Sequence, residues 1–374
     1  MTDTRGDVTA VRGPAFDVAA LARHLAAHLP GFAPPLRDVS QFGHGQSNPT
    51  FLLRDGAGAE FVLRKRPSGE IVSKTAHRID REFRVMQALG RSQSGVPVPE
   101  MLLLCEDAGV IGAAFYIMEF KRGRIFKDTA LKDAPRAQRR AIWLALVDVL
   151  ARLHNVDFRA CGLEGFGRDK EYFARQTRSL SRVRQAQRAV DDRVPAIPHF
   201  DALVRAINEK QPRDAVSIVH GDFKLDNCIF HPTKPEVIAV IDWELSTIGH
   251  YGADLGNSLS PFFITEGDPR GVLLGTPLHP RACRELGLPS KEELMAAYCR
   301  RRAPRLDVTR LANEMYFYVG FFCWKNAVIA QGIAARFVTG QASSPHAEAV
   351  GRFTPMLGEL AALMLGKVGN LSRG

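Results

Sequence analysis

The first third of the chain alternates short apolar runs with polar turns, the pattern of β-strands. Apolar residues at helical spacing predict one helix over 18–29, which begins after Asp17, and a second over 79–89. Asp55-Gly56-Ala57-Gly58 predicts a hairpin turn between two of the strands. The short segment 121–124 is expected to be an exposed connection. Strands are predicted over 39–42, 50–53, 61–63, 101–104 and 115–118.

Beyond residue 125 the pattern changes to long helical periodicities, interrupted by one small β island over 217–241. Helices are predicted over 137–154, 170–189, 199–210, 291–301, 309–335 and 346–366. A strand-rich part followed by a larger helical part is an α+β arrangement. We therefore expect a small antiparallel-sheet lobe over 1–120 and a larger helical lobe over 121–374.

Composition excludes a disordered or collagen-like chain, because 45% of the 374 residues are hydrophobic and 24% are charged. Lys and Arg number 50 against 40 Asp and Glu, a net charge of +10. This surplus favours an anionic partner, such as a nucleotide or an acidic metabolite, although a basic solvated surface gives the same balance. No nucleic-acid partner is expected, because no helix-turn-helix, zinc or interleaved aromatic signature accompanies the charge.

Cysteine usage and hydropathy point to the cytoplasm. The six cysteines are scattered without a C-x-x-C pair, which excludes a zinc ribbon and a thioredoxin motif. The first ten residues lack the apolar run of a signal peptide. The longest apolar stretch, 315–324, is too short to cross a bilayer of about 30 Å. We expect a soluble cytoplasmic protein with reduced thiols and no membrane partner.

The β island carries the residues with chemical potential. It reads His220-Gly221-Asp222-Phe223-Lys224-Leu225-Asp226-Asn227 and continues into two apolar runs, 228–230 and 237–241, which predict an antiparallel hairpin. Asn227 enters the first strand and Asp242 leaves the second. Facing Cα atoms in such a hairpin are about 5 Å apart. The hairpin therefore brings an amide oxygen next to a carboxylate, with Asp222 held nearby by the intervening loop.

This set of side chains suits phosphoryl transfer. Two neighbouring oxygen donors are the ligands that Mg²⁺ prefers, so Asn227 and Asp242 are the candidate metal ligands. Asp222 is then free to orient a hydroxyl and accept its proton, and positioning with charge neutralisation does most of the work in this reaction. A single Asp after a strand is more often a turn cap. The complete pattern makes that alternative the weaker one.

The segment His220-Gly221-Asp222 to Asn227 resembles the catalytic loop of the aminoglycoside phosphotransferase and choline kinase family, relatives of the protein kinases. In the protein-kinase form H-R-D-L-K-x-x-N, Asp222, Lys224 and Asn227 fall on the Asp, Lys and Asn. The resemblance implies a two-lobed protein-kinase-like fold with catalytic Asp222 and Lys224. It also implies ATP and Mg²⁺ as cofactors.

Two further motifs follow in the family's order. Asp242 falls on the metal-binding Asp of D-F-G, although Trp243-Glu244 replaces Phe-Gly. Asp254-Leu255-Gly256 is similar to the D-L-G segment of these small-molecule kinases, whose Asp braces the catalytic loop. Without the resemblance, a helix N-cap explains Asp254 equally well.

The resemblance places the nucleotide-binding residues in the lobe over 1–120. The turn 43–48 lies between two strands and offers backbone N–H groups to phosphates, although such turns also occur without a ligand. Its candidate residues are Gly43, Gly45, Ser47 and Asn48. The segment 116–120 resembles the linker whose backbone pairs with adenine, which makes Glu119 and Phe120 candidates. A buried strand end is the alternative for this segment.

Arg64 aligns with the lysine that kinases keep in V-A-I-K, and Glu82 on the following helix is its expected partner. A cation at this position neutralises the α- and β-phosphates. Arginine departs from the family's lysine, and it offers a forked donor instead of a point charge. Lys65 would face the other side of the strand. Which of the two contacts the phosphates stays open, with Arg64 favoured.

The acceptor substrate is less well indicated. Within the family, 43–51, 62–64 and 330–333 most resemble kinase domains fused to acyl-CoA dehydrogenases, which implies a hydroxyacyl-CoA-like substrate. The arginine-rich stretch 175–188 would then contact an acidic or CoA-linked group, but a solvated helix face explains it as well. The apolar helix over 311–335 is predicted as core, with an acyl pocket as the alternative.

The sequence thus predicts an ATP-dependent phosphotransferase acting on an alcohol group of a small metabolite. The alternative is a non-catalytic nucleotide-binding pseudokinase module, which the arginine at position 64 suggests. Protein kinase activity is disfavoured, because no A-P-E segment or long activation loop follows Asp242. The identity of the acceptor, the choice between ATP and GTP, and the oligomeric state stay open.

Overall fold

The computed structural model describes residues 2–4, 8–10, 16–43, 48–67, 78–263, 276–342 and 346–369. The strands among them are β1 Thr2–Asp3, β2 Val8–Ala10, β3 Asp38–Phe42, β4 Thr50–Arg54, β5 Glu60–Lys65, β6 Met101–Cys105, β7 Phe115–Glu119, β8 Arg124–Ile125, β9 Ser217–Val219, β10 Cys228–Phe230, β11 Val237–Val240 and β12 Thr247–Gly249. The helices among them are α1 Val18–His28, α2 Ile79–Arg91, α3 Arg136–Asn155, α4 Tyr172–Arg188, α5 Phe200–Lys210, α6 Gly252–Leu259, α7 Pro280–Leu286, α8 Lys291–Arg301, α9 Val308–Val338, α10 Ala347–Arg352 and α11 Thr354–Gly366.

The chain divides into two compact units, and neither is continuous in sequence. The sheet unit comprises residues 1–127, 157–166 and 225–246. The helical unit comprises residues 128–156, 167–224 and 247–374. The β10–β11 hairpin therefore belongs with the N-terminal strands and not with the helices that flank it in sequence. The predicted lobe boundary at residue 120 stays a prediction.

The sheet unit is built on a six-stranded antiparallel sheet in the order β2-β3-β4-β5-β7-β6. The predicted hairpin between β4 and β5 is confirmed, and the Asp55 carboxylate closes it by accepting hydrogen bonds from the N–H groups of Ala57 (3.0 Å) and Ala59 (2.8 Å). Gly58 completes the turn with φ +90°, a conformation that favours glycine.

Neighbouring residues of each strand lie on opposite faces of this sheet, because side chains alternate along a strand. On one face, alternate strand residues such as Phe51, Leu63 and Phe115 pack in a buried cluster with Leu21 and Leu25 of α1. On the other face, the register aligns Thr50, Arg64 and Tyr116 on the three adjacent strands β4, β5 and β7. Arg64 therefore lies on the face of the sheet opposite α1.

A second sheet of the same unit has the order β1-β8-β10-β11. The predicted β10–β11 hairpin is confirmed, with Cys228 opposite Val240. The expectation of an exposed connection over 121–124 is wrong for its last two residues, because Gly123 and Arg124 are both buried. Arg124 begins β8 and is only 6% exposed, because its guanidinium donates to the carbonyl oxygens of His231 (2.8 Å) and Lys234 (2.7 Å) in the hairpin turn.

Helix α9 forms the core of the helical unit, as predicted, and α4, α5, α6, α8, α10 and α11 pack against it. Gly252 and Gly256 allow α6 to approach α9 closely: a Cβ atom there would lie 2.1 Å from the ring of Tyr318 and 2.4 Å from its carbonyl oxygen, respectively. The short helix α6 was not predicted, because two glycines in eight residues are more typical of a turn.

The end of the chain differs from the prediction of one helix over 346–366. Two helices, α10 and α11, cover this stretch, and the break falls at Phe353 because Pro355 starts a new helix more readily than it continues one. All six cysteines carry free thiols. None of the helices described is both long and apolar enough to cross a membrane.

Candidate active site

A buried arginine organises a charged cluster in the sheet unit. Arg64 is 8% exposed, and its Nε lies 3.1 Å from Oε2 of Glu82, so the expected ion pair is present. Its Nη2 donates to Oδ1 of Asp242 at 2.7 Å and lies 3.5 Å from Oε2 of Glu244. One guanidinium can meet three carboxylates because its planar fork directs donors to several sides.

Glu82 has partners beyond the arginine. The amide Nδ2 of Asn48 donates to Oε1 at 2.9 Å, and the hydroxyl of Tyr116 donates to Oε2 at 3.2 Å. Burial raises the pKa of Glu82 to about 7 in spite of the neighbouring guanidinium. Burial opposes the charge of Arg64, but Tyr116, Glu82 and Asp242 outweigh it and hold its pKa above the ordinary value. Arg64 therefore stays charged, while Glu82 titrates near neutral pH.

The candidate residues of the turn 43–48 fall in different places. Gly45 and Ser47 lie outside the described residues. Gly43 is exposed directly after β3. Asn48 is fully buried and, through its bond to Glu82, belongs to the cluster around Arg64. The sequence did not indicate this contact.

Lys65 lies on the opposite face of β5 from Arg64. It is 2% exposed, its Nζ lies 5.7 Å from the ring centre of Phe16, and burial lowers its pKa. Of the two neighbouring cations, Arg64 is thus the one that meets Glu82.

The segment predicted to pair with adenine ends β7. The N–H of Glu119 donates to the carbonyl of Glu100 at 2.9 Å, and the N–H of Glu100 donates back to Oε2 of Glu119 at 3.2 Å. Oε1 of Glu119 lies 2.7 Å from Nζ of Lys121. Phe120 follows and is partly buried. The side chain of Glu119 is therefore engaged locally.

Asn227 and Asp242 lie at the open end of the β10–β11 hairpin in the sheet unit. The carbonyl of Asn227 accepts a hydrogen bond from the N–H of Ile241 at 3.0 Å. Asp242 has φ +68°, in the left-handed region, which costs a side-chain-bearing residue about 1 kcal/mol or more and turns the chain sharply after β11. Its side chain is 32% exposed. Arg64 engages Oδ1, and Oδ2 has no partner among the residues described.

The donor chemistry of this pair fits a hard divalent cation. Mg²⁺ prefers oxygen ligands and is often held by one or two carboxylates together with substrate phosphates. An amide oxygen and a carboxylate are donors of this type. Within the described ranges, no group of three or more His, Cys, Asp or Glu side chains is arranged to hold a metal.

Asp222 and Lys224 belong to the helical unit, in the loop that follows β9. Oδ1 of Asp222 accepts a hydrogen bond from Nδ2 of Asn257 at 3.0 Å, and Oδ2 lies 3.3 Å from Nζ of Lys224. The Asp222 side chain is 33% exposed. Burial lowers the pKa of Lys325 on α9, whereas the charges of Asp222 and Asp254 favour its protonated form. The predicted base is therefore contacted by both donors and partly exposed to solvent.

Asp254, on α6, holds the backbone of the same loop. Its two carboxylate oxygens accept hydrogen bonds from the N–H groups of His220 and Gly221, each at 2.8 Å. Oδ2 also lies 3.2 Å from Nε2 of His154, whose Nδ1 is 2.7 Å from the hydroxyl of Tyr298. Burial opposes the charge of Asp254, but these hydrogen bonds and the histidines keep its pKa low. The brace implied by the resemblance is present.

Sequence reasoning missed three residues of these clusters, which are Tyr116, His154 and Asn257. It named Asn48 as a phosphate-binding candidate but not as a partner of Glu82. A signal existed for Asn257, because it follows Asp254 by three positions and residues so spaced share a helix face. His154 carried no signal, since it lies 100 positions before its partner.

Comparison with known proteins agrees with this geometry. A family model described as "Phosphotransferase enzyme family" matches residues 38–286, well over half of the chain. The chain belongs to this family. The predictions of a phosphotransferase and of its relationship to aminoglycoside phosphotransferases are confirmed. The likeness to choline kinases is one of fold.

Solved structures give the same result for the fold. A candidate aminoglycoside phosphotransferase from Ralstonia eutropha JMP134 is 36% identical, with a TM-score of 0.80 over 95% of this chain and 100% of that one. Choline kinase from Cryptosporidium parvum, 13% identical, superposes with a TM-score of 0.60 over 94% and 95% of the two chains. An aminoglycoside phosphotransferase in complex with AMP-PNP and hygromycin B, 15% identical, has a TM-score of 0.55 over 94% and 99%. The kinase-like α+β fold is confirmed.

The curated relatives are larger proteins. Acyl-CoA dehydrogenase family member 10 of Mus musculus is 39% identical over 91% of this chain, and family member 11 of Rattus norvegicus is 40% identical over 92%. The chain spans only 30% and 42% of their respective lengths. The likeness therefore concerns one part of each relative.

Proposed function

We propose that the protein transfers the γ-phosphate of ATP to a hydroxyl of a small metabolite. The observation that carries the proposal is the carboxylate of Asp222, which is partly exposed to solvent while Asn257 and Lys224 orient its two oxygens. A carboxylate held in this way can orient an alcohol and accept its proton. Membership of a phosphotransferase family supports the same chemistry.

The reaction forms a bond between the acceptor oxygen and the γ-phosphorus and breaks the bond from that phosphorus to the bridging oxygen, so that ADP leaves. The proton of the hydroxyl passes to Asp222. Lys224, whose Nζ is 3.3 Å from this carboxylate, supplies positive charge for the transferring group. Positioning and charge neutralisation provide most of the acceleration in such reactions.

Residues of the sheet unit would bind the nucleotide. Arg64, fixed by Glu82, would neutralise the α- and β-phosphates. Backbone groups of the turn 43–48 and of Glu119-Phe120 would bind the phosphates and the adenine. The AMP-PNP complex of a structural relative supports ATP as the nucleotide. Asn227 and Asp242 would hold Mg²⁺, which when bound supplies positive charge to the β- and γ-phosphates.

For the acceptor we propose a hydroxyacyl-CoA-like substrate. The support is the similarity to parts of two acyl-CoA dehydrogenase family members, together with the arginine-rich helix α4. Arg178 and Arg182 on this helix are exposed and able to meet an acidic group.

A cytoplasmic location also stays a prediction.

The test is a phosphate-transfer screen over hydroxyacyl thioesters, amino alcohols, sugars and aminoglycosides, with wild type and Asp222→Asn. A positioned general base contributes about 10²–10⁴-fold, so transfer should fall by that factor while ATP binding is kept. Asp214→Asn is the matched control, because this exposed carboxylate accepts a backbone hydrogen bond from Glu171 elsewhere in the same unit. Unchanged turnover in Asp222→Asn would remove Asp222 from its role.

A non-catalytic nucleotide-binding module is the second candidate, because arginine stands at position 64 where kinases keep a lysine. Calorimetry with ATP, with and without Mg²⁺, separates the two. Tight binding that does not depend on the metal, together with no transfer to any acceptor in the screen, would favour the module.

A further inference from the structure

We propose that Asn257 is a positioning residue for phosphoryl transfer, which holds the carboxylate of Asp222 in the orientation that accepts the hydroxyl proton. This inference rests on the proposed function, in which Asp222 is the base. Asn257 does not touch the substrate in this proposal and acts through Asp222 alone.

The carboxylate of an aspartate rotates easily, because its terminal torsion has broad, shallow wells. In this structure the two oxygens of Asp222 face different donors. Oδ1 accepts from Nδ2 of Asn257 at 3.0 Å, and Oδ2 lies 3.3 Å from Nζ of Lys224. Lys224 is a flexible side chain that is 42% exposed, so the better fixed of the two donors is the asparagine.

The asparagine is well fixed because its helix is attached to the catalytic loop on both sides of it. Asp254, one turn earlier on α6, binds the backbone of His220 and Gly221. Ser258, the next residue, donates to the carbonyl of Phe223 at 2.7 Å. Helix α6 thus binds the loop before, at and after Asp222, and the contact from Asn257 reaches the side chain of the base itself.

The chemical type of the donor fits this task. Two cations already act on Asp222: Lys224 lies in the same loop, and Lys325 on α9 interacts with Asp222 electrostatically. Asp254 contributes a buried negative charge from α6. A neutral amide can orient the carboxylate without adding another cation that would hold it more strongly as an ion pair. The asparagine can therefore orient the carboxylate of Asp222 without adding a charge beside it.

The expected effect is on the chemical step. Misplacement of a reacting group by about 1 Å can cost about 10²-fold, so Asn257→Ala should lower kcat about tenfold to a hundredfold while the KM for ATP changes less than twofold. Asn257→Asp keeps the shape but replaces the donor with a second carboxylate facing Asp222. The kcat of Asn257→Asp should fall at least as far as that of Asn257→Ala. This second variant provides the test if the alanine variant does not fold.

Thr354→Ala is the control, because it removes a buried hydrogen bond elsewhere in the helical unit, from the hydroxyl of Thr354 to the carbonyl of Gly351 at 2.8 Å, without touching the loop that holds Asp222. It should lower the melting temperature as much as Asn257→Ala does, but change kcat less than threefold. Equal losses of kcat in the two variants would show a merely structural role and overturn the inference.

A double variant provides the second readout. If Asn257 acts through Asp222, then Asn257→Ala should cause no further loss of the residual rate in the Asp222→Asn background, because coupled residues are not additive. Losses that multiply would overturn the inference and leave the proposed function standing. Full transfer by Asp222→Asn alone would instead overturn the proposed function.

Discussion

Arg64 donates a 2.7 Å hydrogen bond to Asp242 although 178 positions separate the two residues. Arg64 lies on the middle of the large sheet, and Asp242 lies where the β10–β11 hairpin ends. Because the same guanidinium also meets Glu82 on α2, it links a strand, a helix and a hairpin of the sheet unit. The guanidinium of Arg64 therefore stabilises the sheet unit and is also the candidate group for phosphate binding.

Arg64→Lys tests whether the forked shape of this side chain matters. A lysine ammonium cannot meet Glu82 and Asp242 with the same geometry, and a lost hydrogen bond to a charged group costs about 1.5–3 kcal/mol. We expect the KM for ATP to rise about tenfold or more and the unfolding free energy to fall. Arg122→Lys is the control, because Arg122 makes a 2.7 Å pair with Glu60 while 62% exposed. Equal changes in the KM for ATP and in the unfolding free energy of the two variants would contradict the prediction.

The pH dependence of stability should report the protonation of Glu82. Burial raises the pKa of Glu82 to about 7 from an ordinary 4.5, so the folded state holds a proton that the unfolded chain releases. The contribution of Glu82 to the unfolding free energy is therefore largest below about pH 4.5. It falls by about 1.4 kcal/mol for each pH unit between there and pH 7. Urea unfolding of wild type and Glu82→Gln across this range measures it. A difference in unfolding free energy that does not vary with pH would contradict the assignment.

Asp254→Asn should loosen the catalytic loop. The amide that replaces the carboxylate presents an NH₂ group to one of the two backbone N–H groups of His220 and Gly221. An unpaired buried donor costs about 1–3 kcal/mol. We expect a lower unfolding free energy and a lower kcat, measured by denaturant titration and by the transfer assay. Asp214→Asn, on the surface, should leave both nearly unchanged, and a wild-type kcat in Asp254→Asn would argue against the brace.

Gly256→Ala tests the close approach of α6 to α9. The added methyl group would lie 2.4 Å from the carbonyl oxygen of Tyr318, so the helices must separate. Overpacking of this kind costs about 1–3 kcal/mol. Thermal unfolding should show this loss, whereas Gly366→Ala should be nearly neutral because nothing lies within 4 Å of the added atom. A wild-type melting temperature for Gly256→Ala would show that the helices can shift at no cost.

Local patterns were sufficient to predict most of the elements and the hairpin that carries Asn227 and Asp242. They failed where long-range contacts decide the structure. Arg124 was expected to be exposed, and only the folded hairpin turn provides the carbonyl groups that bury it. Helix α6 was missed because the reason for its glycines is Tyr318, more than 60 positions later.

In the candidate site, too, local motifs were predicted and long-range contacts were not. The motif order indicated Asp222, Lys224 and Asp242, because their spacing along the chain is characteristic of the family. The side chain that orients Asp222 is that of Asn257, which comes from another element and belongs to none of the motifs. Its contact with Asp222 is visible only in the fold.

The guanidinium at position 64 has a consequence for chemical labelling. Reagents that couple a nucleotide to an acylating group depend on an unprotonated amine beside the phosphates. Arg64 keeps its proton, because the surrounding carboxylates hold its pKa above the ordinary value. At position 64 such a reagent would meet a group that does not react. Activity-based surveys that detect kinases only through a lysine at the position of Arg64 would therefore not detect this protein or any relative that shares the arginine.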